Sequence, residues 1–420
     1  MNRFQDEPVV KLLQSLIRTR SYSGEEGNVV SLLKNYFEEH GFDKVCIDKM
    51  GNVIGVLEGD RPGPTYLFDG HIDTVPVQDP ETWTHDPFGA EIEDGRMYGR
   101  GTSDMKGAVA AMVCAAAAFK KETQGHFAGR VCVAGVVHEE CFEGVAAREI
   151  SRAFQPDLVV IGEASELNLK IGQRGRMEIK VETYGKPAHS SNPEKGLNAV
   201  YSMCKVIEAL KKLSVPESAF LGKGILELTD IRSEPWPGAS VVPEKCTVTY
   251  DRRLLTGETV ESVLASITAV LDDLAASDPS IRAKAFVAEG HETCYTGEEI
   301  SGQRFFPAWE YDPEEPFVRA VFRALRGSRS ELPEPAELPD QLEPTELPDQ
   351  SEPAELPDLK LTHYSFCTNG SHYAGEARIP TVGFGPSRED LAHTIDEYIE
   401  LSDLIAAEGG YKRIMELLTV

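Results

Sequence analysis

Several apolar stretches of the kind that form buried strands lead into an acidic residue or a histidine, and this pattern constrains the fold most. The stretches are residues 66–68, 131–137, 158–161 and 381–384. The polar residues that follow them are, in order, His71 and Asp73, Glu139 and Glu140, Glu163, and His393. Open α/β sheets place their ligands at the carboxyl ends of the strands. The sequence therefore predicts an α/β protein that gathers these side chains beside one sheet.

The first of these groups has the composition of a metal site. Residues i and i+2 of a strand share a face, so His71 and Asp73 project together. An imidazole beside a carboxylate is half of a zinc-type ligand set. Asp104 stands in a glycine-rich turn before an alanine-rich stretch, 108–121, and is a candidate third ligand. A surface His-x-Asp turn is the alternative for this triplet taken alone.

These motifs, in this order, resemble those of a family of dinuclear zinc hydrolases. The family includes aminoacylase, acetylornithine deacetylase, succinyl-diaminopimelate desuccinylase and carboxypeptidase G, and the resemblance covers nearly the whole chain. Around residues 232–253 the chain most resembles the branch called selenium-metabolism-linked hydrolases. The resemblance implies a zinc-exopeptidase-like mixed sheet flanked by helices, with an inserted ferredoxin-like α+β domain that acts as a lid and dimerises.

The order of predicted elements supports this two-domain division. Residues 177–288 are expected to form a βαββαβ unit, which is the split-βαβ sandwich. We therefore expect a first catalytic segment over 1–175, a lid and dimerisation domain over 176–289, and a second catalytic segment over 290–420. Gly172 to Gly175 is the expected hinge.

An acidic, proline-rich repeat of nine residues interrupts the second catalytic segment. Residues 331–358 contain ten acidic residues, seven prolines and no basic residue. Prolines at this density and mutually repelling charges predict a disordered surface insert. An interaction tail for a basic partner is the alternative.

Charge and cysteine usage limit the partners and the compartment. A net charge of −27 argues against nucleic acid or an anionic membrane as a partner. The longest uncharged apolar run, 108–119, is too short to span a bilayer. The eight cysteines form no C-x-x-C pair. Four of them lie in apolar stretches and are expected to be reduced core residues of a cytoplasmic protein. These are Cys114, Cys132, Cys204 and Cys246.

The family pattern implies a ligand set for two divalent metal ions. His71 and Glu163 would hold one ion, Glu140 and His393 the other, and Asp104 would bridge them. Zinc is the expected metal, although cobalt and manganese also suit these ligands.

The same pattern assigns three residues to the reaction itself. Glu139 corresponds to the general base, with a charged strand terminus as its alternative. Asp73 would hydrogen-bond the second nitrogen of His71 and fix its tautomer. His189 corresponds to the lid histidine that stabilises the oxyanion, often in the neighbouring subunit, which implies a homodimer. A capping histidine in a loop is the alternative for His189.

Substrate contacts are implied at three further positions. Arg253 matches a lid arginine that binds a substrate carboxylate, and its alternative is a plain ion pair at a strand end. Asn369 and Gly370 resemble a loop that faces the substrate backbone. The family commonly has an asparagine where this chain has Ser240, so the substrate is expected to be held differently there. His372 is expected at a solvent-facing helix position.

Together these features predict a metal-dependent amidohydrolase. Its substrate would be a small N-acyl amino acid or dipeptide with a free carboxylate, cleaved by a water molecule activated between two zinc ions. A carbamoyl or ureido amidohydrolase of the same fold is the enzymatic alternative. A metal-dependent binding protein without turnover is the alternative outside catalysis.

Overall fold

The computed structural model describes residues 4–326 and 358–419. In chain order, its α-helices are α1 (Pro8–Arg18), α2 (Gly27–Glu39), α3 (Gly107–Thr123), α4 (Ala147–Phe154), α5 (Ala199–Leu210), α6 (Val260–Ser277), α7 (Pro316–Arg326) and α8 (Leu401–Leu418). The predicted acidic repeat lies, up to residue 357, outside the described residues.

The strands of the described residues form one large sheet and several smaller ones. They are β1 (Lys44–Ile47), β2 (Val53–Glu58), β3 (Arg61–His71), β4 (Glu91–Glu93), β5 (Arg96–Tyr98), β6 (Ala128–Val136), β7 (Leu158–Ile161), β8 (Leu169–Gln173), β9 (Gly175–Tyr184), β10 (Glu217–Ser218), β11 (Gly222–Lys223), β12 (Ile225–Glu234), β13 (Lys245–Leu254), β14 (Ala283–Val287), β15 (Glu289–Thr293), β16 (Glu299–Gln303), β17 (Phe305–Phe306), β18 (Trp309–Glu310), β19 (Leu361–Tyr364), β20 (Thr381–Gly383) and β21 (Tyr398–Glu400).

The central sheet is mixed. Its order is β1-β2-β6-β3-β7-β20-β8-β18, and β19 also pairs with β8. The core pairs β6–β3, β3–β7 and β7–β20 are parallel, whereas β1, β2 and β18 join in antiparallel fashion. The parallel strands are almost continuously apolar and buried because helices cover the sheet.

Helix α3 packs closely on this sheet because small residues meet at the contact. Ala108 to Ala116 are buried without exception. A Cβ atom added to Gly70 would lie 2.8 Å from Val109 Cγ2, and one added to Gly162 would lie 2.3 Å from Met112 Cε. The two glycines precede His71 and Glu163, so this close packing lies next to two of the predicted ligands.

A second sheet has its own apolar core. Strands β12, β13, β9 and β14 pair in that order, all antiparallel, and β17 extends β9. The chain order β9-α5-β12-β13-α6-β14 follows the expected βαββαβ pattern. Buried side chains of both helices and of the strands form this core, separate from that of the central sheet. Caps define the helix starts: the Asn198 side chain accepts from Val200 N, and Thr259 forms a capping box with Ser262.

Three local expectations were wrong. The amphipathic pattern of residues 398–418 predicts a helix from Tyr398, but α8 begins only at Leu401, because Tyr398–Glu400 pairs with β5. Cys204 is exposed on α5, although Cys114, Cys132 and Cys246 are buried as expected. His372 is buried rather than solvent-facing, since the turn 371–376 packs against α4. Within the described ranges, no helix combines the length and apolar character needed to cross a bilayer.

Candidate metal centre

Three neighbouring parallel strands deliver most of the predicted ligands to one place. His71 is the last residue of β3, and Glu163 follows β7, which is in register beside it. Glu139 and Glu140 follow β6, which lies on the other side of β3. The carboxyl ends of adjacent parallel strands meet at the same end of a sheet, so the three segments converge.

The Asp104 carboxylate lies between the two predicted histidine ligands. Its Oδ1 is 2.9 Å from His71 Nε2, and its Oδ2 is 3.1 Å from His393 Nε2. His393 Nε2 is also 2.9 Å from Glu140 Oε2, while His71 Nε2 is 3.6 Å from Glu163 Oε1. This is the arrangement expected of a carboxylate that bridges two cation sites.

Ligand-type atoms cluster closely enough to coordinate cations. Among the described residues, two groups have ligand atoms within 4.8 Å of one another: His71 with Asp104 and Glu140, and His71 with Glu139 and Glu163. His71, Glu139 and Glu163 are buried, and Asp104 and Glu140 are partly buried. Glu139, the predicted base, thus lies beside the ligands.

Burial and mutual repulsion perturb the pKa values of the acids. Burial and, to a smaller extent, the Asp104 charge raise the pKa of Glu140 to about 7. Burial also raises the pKa values of Glu139 and Glu163 well above their usual range, and each is repelled by neighbouring carboxylates. Burial opposes ionisation of Asp104 as well, but hydrogen bonds with His393 and His71 outweigh it and lower the pKa.

The donor set fits divalent cations. Oε1 of Glu139 and Oε1 of Glu140 are buried and have no hydrogen-bond partner among the described residues. Buried carboxylates without compensation are costly, and a bound cation supplies that compensation. Imidazole nitrogens with carboxylate oxygens are ligands that zinc accepts.

Asp73 contacts His71 and the two glutamates in different ways. His71 Nδ1 is 2.9 Å from the backbone carbonyl of Asp73, whereas the nearer carboxylate oxygen of Asp73 is 3.6 Å away. The Asp73 carboxylate accepts hydrogen bonds from the backbone N–H groups of Glu139 (3.1 Å) and Glu140 (3.2 Å) and from the Ser23 hydroxyl (2.7 Å). It therefore fixes the segment that carries the candidate base.

Glu397 is an organising residue that the sequence reasoning missed. Its buried Oε1 accepts from the backbone N–H groups of Gly101 (3.1 Å), Ser103 (2.8 Å) and Asp104 (3.1 Å). Its Oε2 accepts from Arg100 Nη1 at 2.6 Å. A turn that donates several N–H groups to one carboxylate is held in a single shape. The only sequence signal was an acid four residues after His393, which carries no spatial information by itself.

The structure places His189 away from this cluster. The side chain is exposed, and its Nδ1 accepts from the backbone N–H of Ser191 at 3.1 Å. Its loop pairs with Val241 through a β-bridge. Among the described residues it has no hydrogen bond or ion pair with a predicted ligand.

The three predicted substrate residues differ in how far they are engaged. Arg253 Nε is 2.8 Å from Asp251 Oδ1. Asn369 is buried; its Nδ2 donates to Asp69 Oδ1 at 2.9 Å, and its Oδ1 accepts from Gly144 N at 2.9 Å. Gly370 is buried against Trp309, where a Cβ atom would lie 2.6 Å from Nε1. The Asn369 amide thus has internal partners at both ends.

The turn after Gly370 contains a further hydrogen-bonded group. His372 Nδ1 is 2.9 Å from Glu376 Oε2, and its Nε2 is 2.7 Å from the Ser151 hydroxyl. Arg148 pairs with the same glutamate at 2.6 Å. These contacts join the turn to α4 and account for the burial of His372.

Comparisons with known proteins agree with this architecture. The sequence profile of peptidase family M20/M25/M40 matches residues 67–337. The uncharacterised protein YgeY of Escherichia coli K12 is 31% identical over 415 residues, which are 97% of this chain and 93% of YgeY. A succinyl-diaminopimelate desuccinylase of Cereibacter sphaeroides is 28% identical over 418 residues, with 97% of this chain and 98% of that protein covered.

The fold itself matches a solved structure. A tripeptidase of Staphylococcus aureus superposes with a TM-score of 0.71 at 18% identity, and the match covers 98% of each chain. At this identity the likeness concerns the fold alone. The predicted class, a mixed α/β sheet flanked by helices, is confirmed.

Proposed function

The chain belongs to peptidase family M20/M25/M40, a family of metal-dependent hydrolases, and from this premise we propose that it hydrolyses the amide bond of a small N-acyl amino acid or dipeptide. The family resemblance inferred from the strand-end residues is thereby confirmed. The substrate class and the residue roles below are our proposal.

One observation carries the proposal: the Asp104 carboxylate lies between His71 and His393, with the buried Glu139 beside them. His71 and Glu163 would hold one divalent cation, Glu140 and His393 a second, and Asp104 both. Zinc is the proposed metal. Such cations supply polarisation of the amide carbonyl and a lower pKa for the attacking water.

Glu139 is the proposed general base. It takes a proton from the attacking water and then donates this proton to the leaving nitrogen, so that it ends in its starting state. Its position suits this task because its backbone N–H is held by Asp73 and its Oε1 has no partner among the described residues.

Residues of the second sheet are proposed to recognise the substrate. Arg253 would bind the free carboxylate, and its pairing with Asp251 through Nε leaves both terminal nitrogens without a partner among the described residues. Residues 176–289 would form the lid and dimerisation domain. His189 would stabilise the oxyanion in the partner subunit of a homodimer, which suits its exposure and its lack of contact with its own centre.

The acyl group and the compartment are further parts of the proposal. Because a relative is named succinyl-diaminopimelate desuccinylase, N-succinyl amino acids stand first among the substrates to be tried. We place the protein in the cytoplasm because all its cysteines are free.

Elemental analysis combined with a substrate panel tests the proposal. We expect about two zinc ions per chain, as a two-cation hydrolase requires. We also expect turnover of N-acyl amino acids or dipeptides that chelation abolishes and zinc restores. Faster cleavage of ureido acids would favour the carbamoyl alternative. Full activity in chelated protein without bound metal would contradict the proposal.

A further inference from the structure

Four side chains of alternating charge connect the metal-centre segment to the second sheet. Arg176 Nη1 is 2.7 Å from Glu143 Oε1, and Arg176 Nε is 2.8 Å from Asp251 Oδ2. The other oxygen of Asp251, Oδ1, is 2.8 Å from Arg253 Nε. We call the series Glu143, Arg176, Asp251 and Arg253 the ion-pair chain.

The two ends of the ion-pair chain lie in different structural units. Glu143 belongs to the segment between Glu140 and α4, which follows the central sheet. Arg176 lies in β9 and Arg253 in β13, and the two residues are directly opposite each other in the register. Arg176 is therefore placed to contact both the segment that carries Glu139 and Glu140 and the strand that carries Arg253.

Asp251 forms ion pairs with both arginines, which lie opposite each other on neighbouring strands. Like charges directly opposite each other on a sheet repel. Asp251 Oδ2 accepts a hydrogen bond from Arg176 Nε, and Asp251 Oδ1 forms an ion pair with Arg253, so one carboxylate compensates both charges. The terminal nitrogens of Arg253 have no hydrogen-bond partner among the described residues, so they stay available for a carboxylate, whose planar geometry a guanidinium matches.

Glu143 is buried, so its ion pair with Arg176 is important for the stability of the segment after Glu140. Only 7% of Glu143 is exposed, and among the described residues its Oε2 has no hydrogen-bond partner. A buried carboxylate that loses its cation is left uncompensated, and its surroundings rearrange. The segment after Glu140 is thus expected to depend on Arg176.

We propose that Arg176 is a positioning residue that couples the orientation of Arg253 to the segment carrying Glu139 and Glu140, and so makes recognition of the substrate carboxylate depend on Glu143 and Asp251. This inference rests on the proposed function, because it takes Arg253 as the carboxylate-binding residue. It goes beyond that function by assigning a task to three residues that contact no reacting atom.

The test compares an N-acyl amino acid with its primary amide, in which the carboxylate is replaced. Arg176→Met should raise KM for the acid about tenfold, a coupling within the usual range for contacting charged residues, and leave KM for the amide nearly unchanged. A merely structural role would weaken both substrates equally. Asp251→Asn should have the same selective effect, and Arg176→Lys should have a smaller one. These two variants keep the test valid if Arg176→Met folds poorly.

A double-mutant cycle with Arg253→Met isolates the coupling. In the Arg253→Met background, Arg176→Met should add little to KM for the acid, because the group that Arg176 orients is gone. Effects that multiply in the double variant would overturn the inference. The matched control is Lys245→Met: Lys245 also pairs with two acids, Glu182 and Glu234, but lies at the opposite end of β13. It should leave the acid-to-amide ratio of KM unchanged.

Calorimetric binding separates this inference from the proposed function. The zinc-loaded Glu139→Gln protein, with and without Arg176→Met, can be titrated with the same acid and amide. Suppose that the wild-type protein hydrolyses neither ligand, and that Arg176→Met weakens binding of the acid but not of its primary amide. The proposed function then fails and the coupling stands. Equal weakening of both ligands, or binding of neither, contradicts the coupling.

Discussion

Asp73, just beyond the end of β3, accepts a hydrogen bond from the backbone N–H of Glu139 at 3.1 Å, so one strand end fixes the candidate base of its neighbour. Asp73→Asn keeps the shape but removes the charge that strengthens this contact. We expect kcat to fall about 10- to 100-fold, as for other outer partners of metal sites, with zinc retained. Kinetics and zinc content of the same sample measure this. Unchanged kcat would show that the backbone contact is dispensable.

Glu139→Gln should separate chemistry from metal binding. Glutamine has nearly the same shape but cannot accept and return a proton. General acid–base catalysis contributes about 10²- to 10⁴-fold, so kcat should fall within this range while KM changes little. Zinc content should stay at the wild-type value because the proposed ligands are intact. Loss of metal together with activity would instead make Glu139 a ligand.

The sequence predicted the site where the information is local, and failed where it depends on the packing of distant segments. The common end of parallel strands predicts that His71, Glu140 and Glu163 lie near one another, and the structure has them at the ends of adjacent strands. No local pattern indicates that Glu397 accepts hydrogen bonds from the turn around Asp104, because the two segments are far apart in the chain. His372 was placed on the surface for the same reason.

The role of Asp73 shows a finer limit. The i, i+2 rule puts its side chain on the face of His71, and the structure agrees in direction. His71 Nδ1 nevertheless donates its hydrogen bond to the Asp73 carbonyl, because the carboxylate is engaged by the glutamate segment. Which of two acceptors on one residue is used depends on neighbours that a single strand pattern does not contain.

Glu397→Gln should weaken metal binding without removing a ligand. The carboxylate accepts hydrogen bonds from three backbone N–H groups around Asp104 and from the buried Arg100. A glutamine side chain has only one oxygen, so it cannot accept at both positions. Zinc affinity, measured by competition with a chelator, should fall about 10- to 100-fold. Glu400→Gln is the matched control, because Glu400 lies on the same segment as Glu397 but pairs with Arg96 at the surface. Equal affinities in both variants would contradict the role of Glu397.

The stability of chelated protein should fall as pH rises. Burial, followed by the Asp104 charge, raises the pKa of Glu140 from 4.5 to about 7, so the folded state binds more protons than the unfolded state between these values. The free energy of unfolding therefore decreases with pH in this window. Hydrogen bonds with Asp104 and Glu140 raise the pKa of His393 from its usual 6.5 to about 10, so the free energy of unfolding continues to decrease above pH 6.5.

Thermal unfolding at a series of pH values measures this dependence. The difference in Tm between zinc-loaded and chelated protein should widen from pH 5 to pH 8, because zinc replaces the protons that stabilise the cluster. In chelated Glu140→Gln protein, Tm should fall less steeply between pH 4.5 and pH 7 than in chelated wild type, since glutamine does not titrate. A chelated wild type whose Tm rises over the same range would contradict the predicted sign.

Subunit mixing tests whether His189 acts in the partner's site. His189→Ala and Glu139→Ala should each be nearly inactive as homodimers. If His189 acts across the interface, a mixed dimer has one site with neither substitution, and random exchange should restore about a quarter of wild-type activity, since half of the dimers are mixed and each has one intact site. If His189 serves its own chain, each site in the mixed dimer lacks either His189 or Glu139. Mixing would then restore no activity.

Zinc content and dimer mass of the mixture control for loss of metal or of assembly. An inactive mixture of intact, zinc-loaded dimers would therefore place His189 outside the neighbouring site.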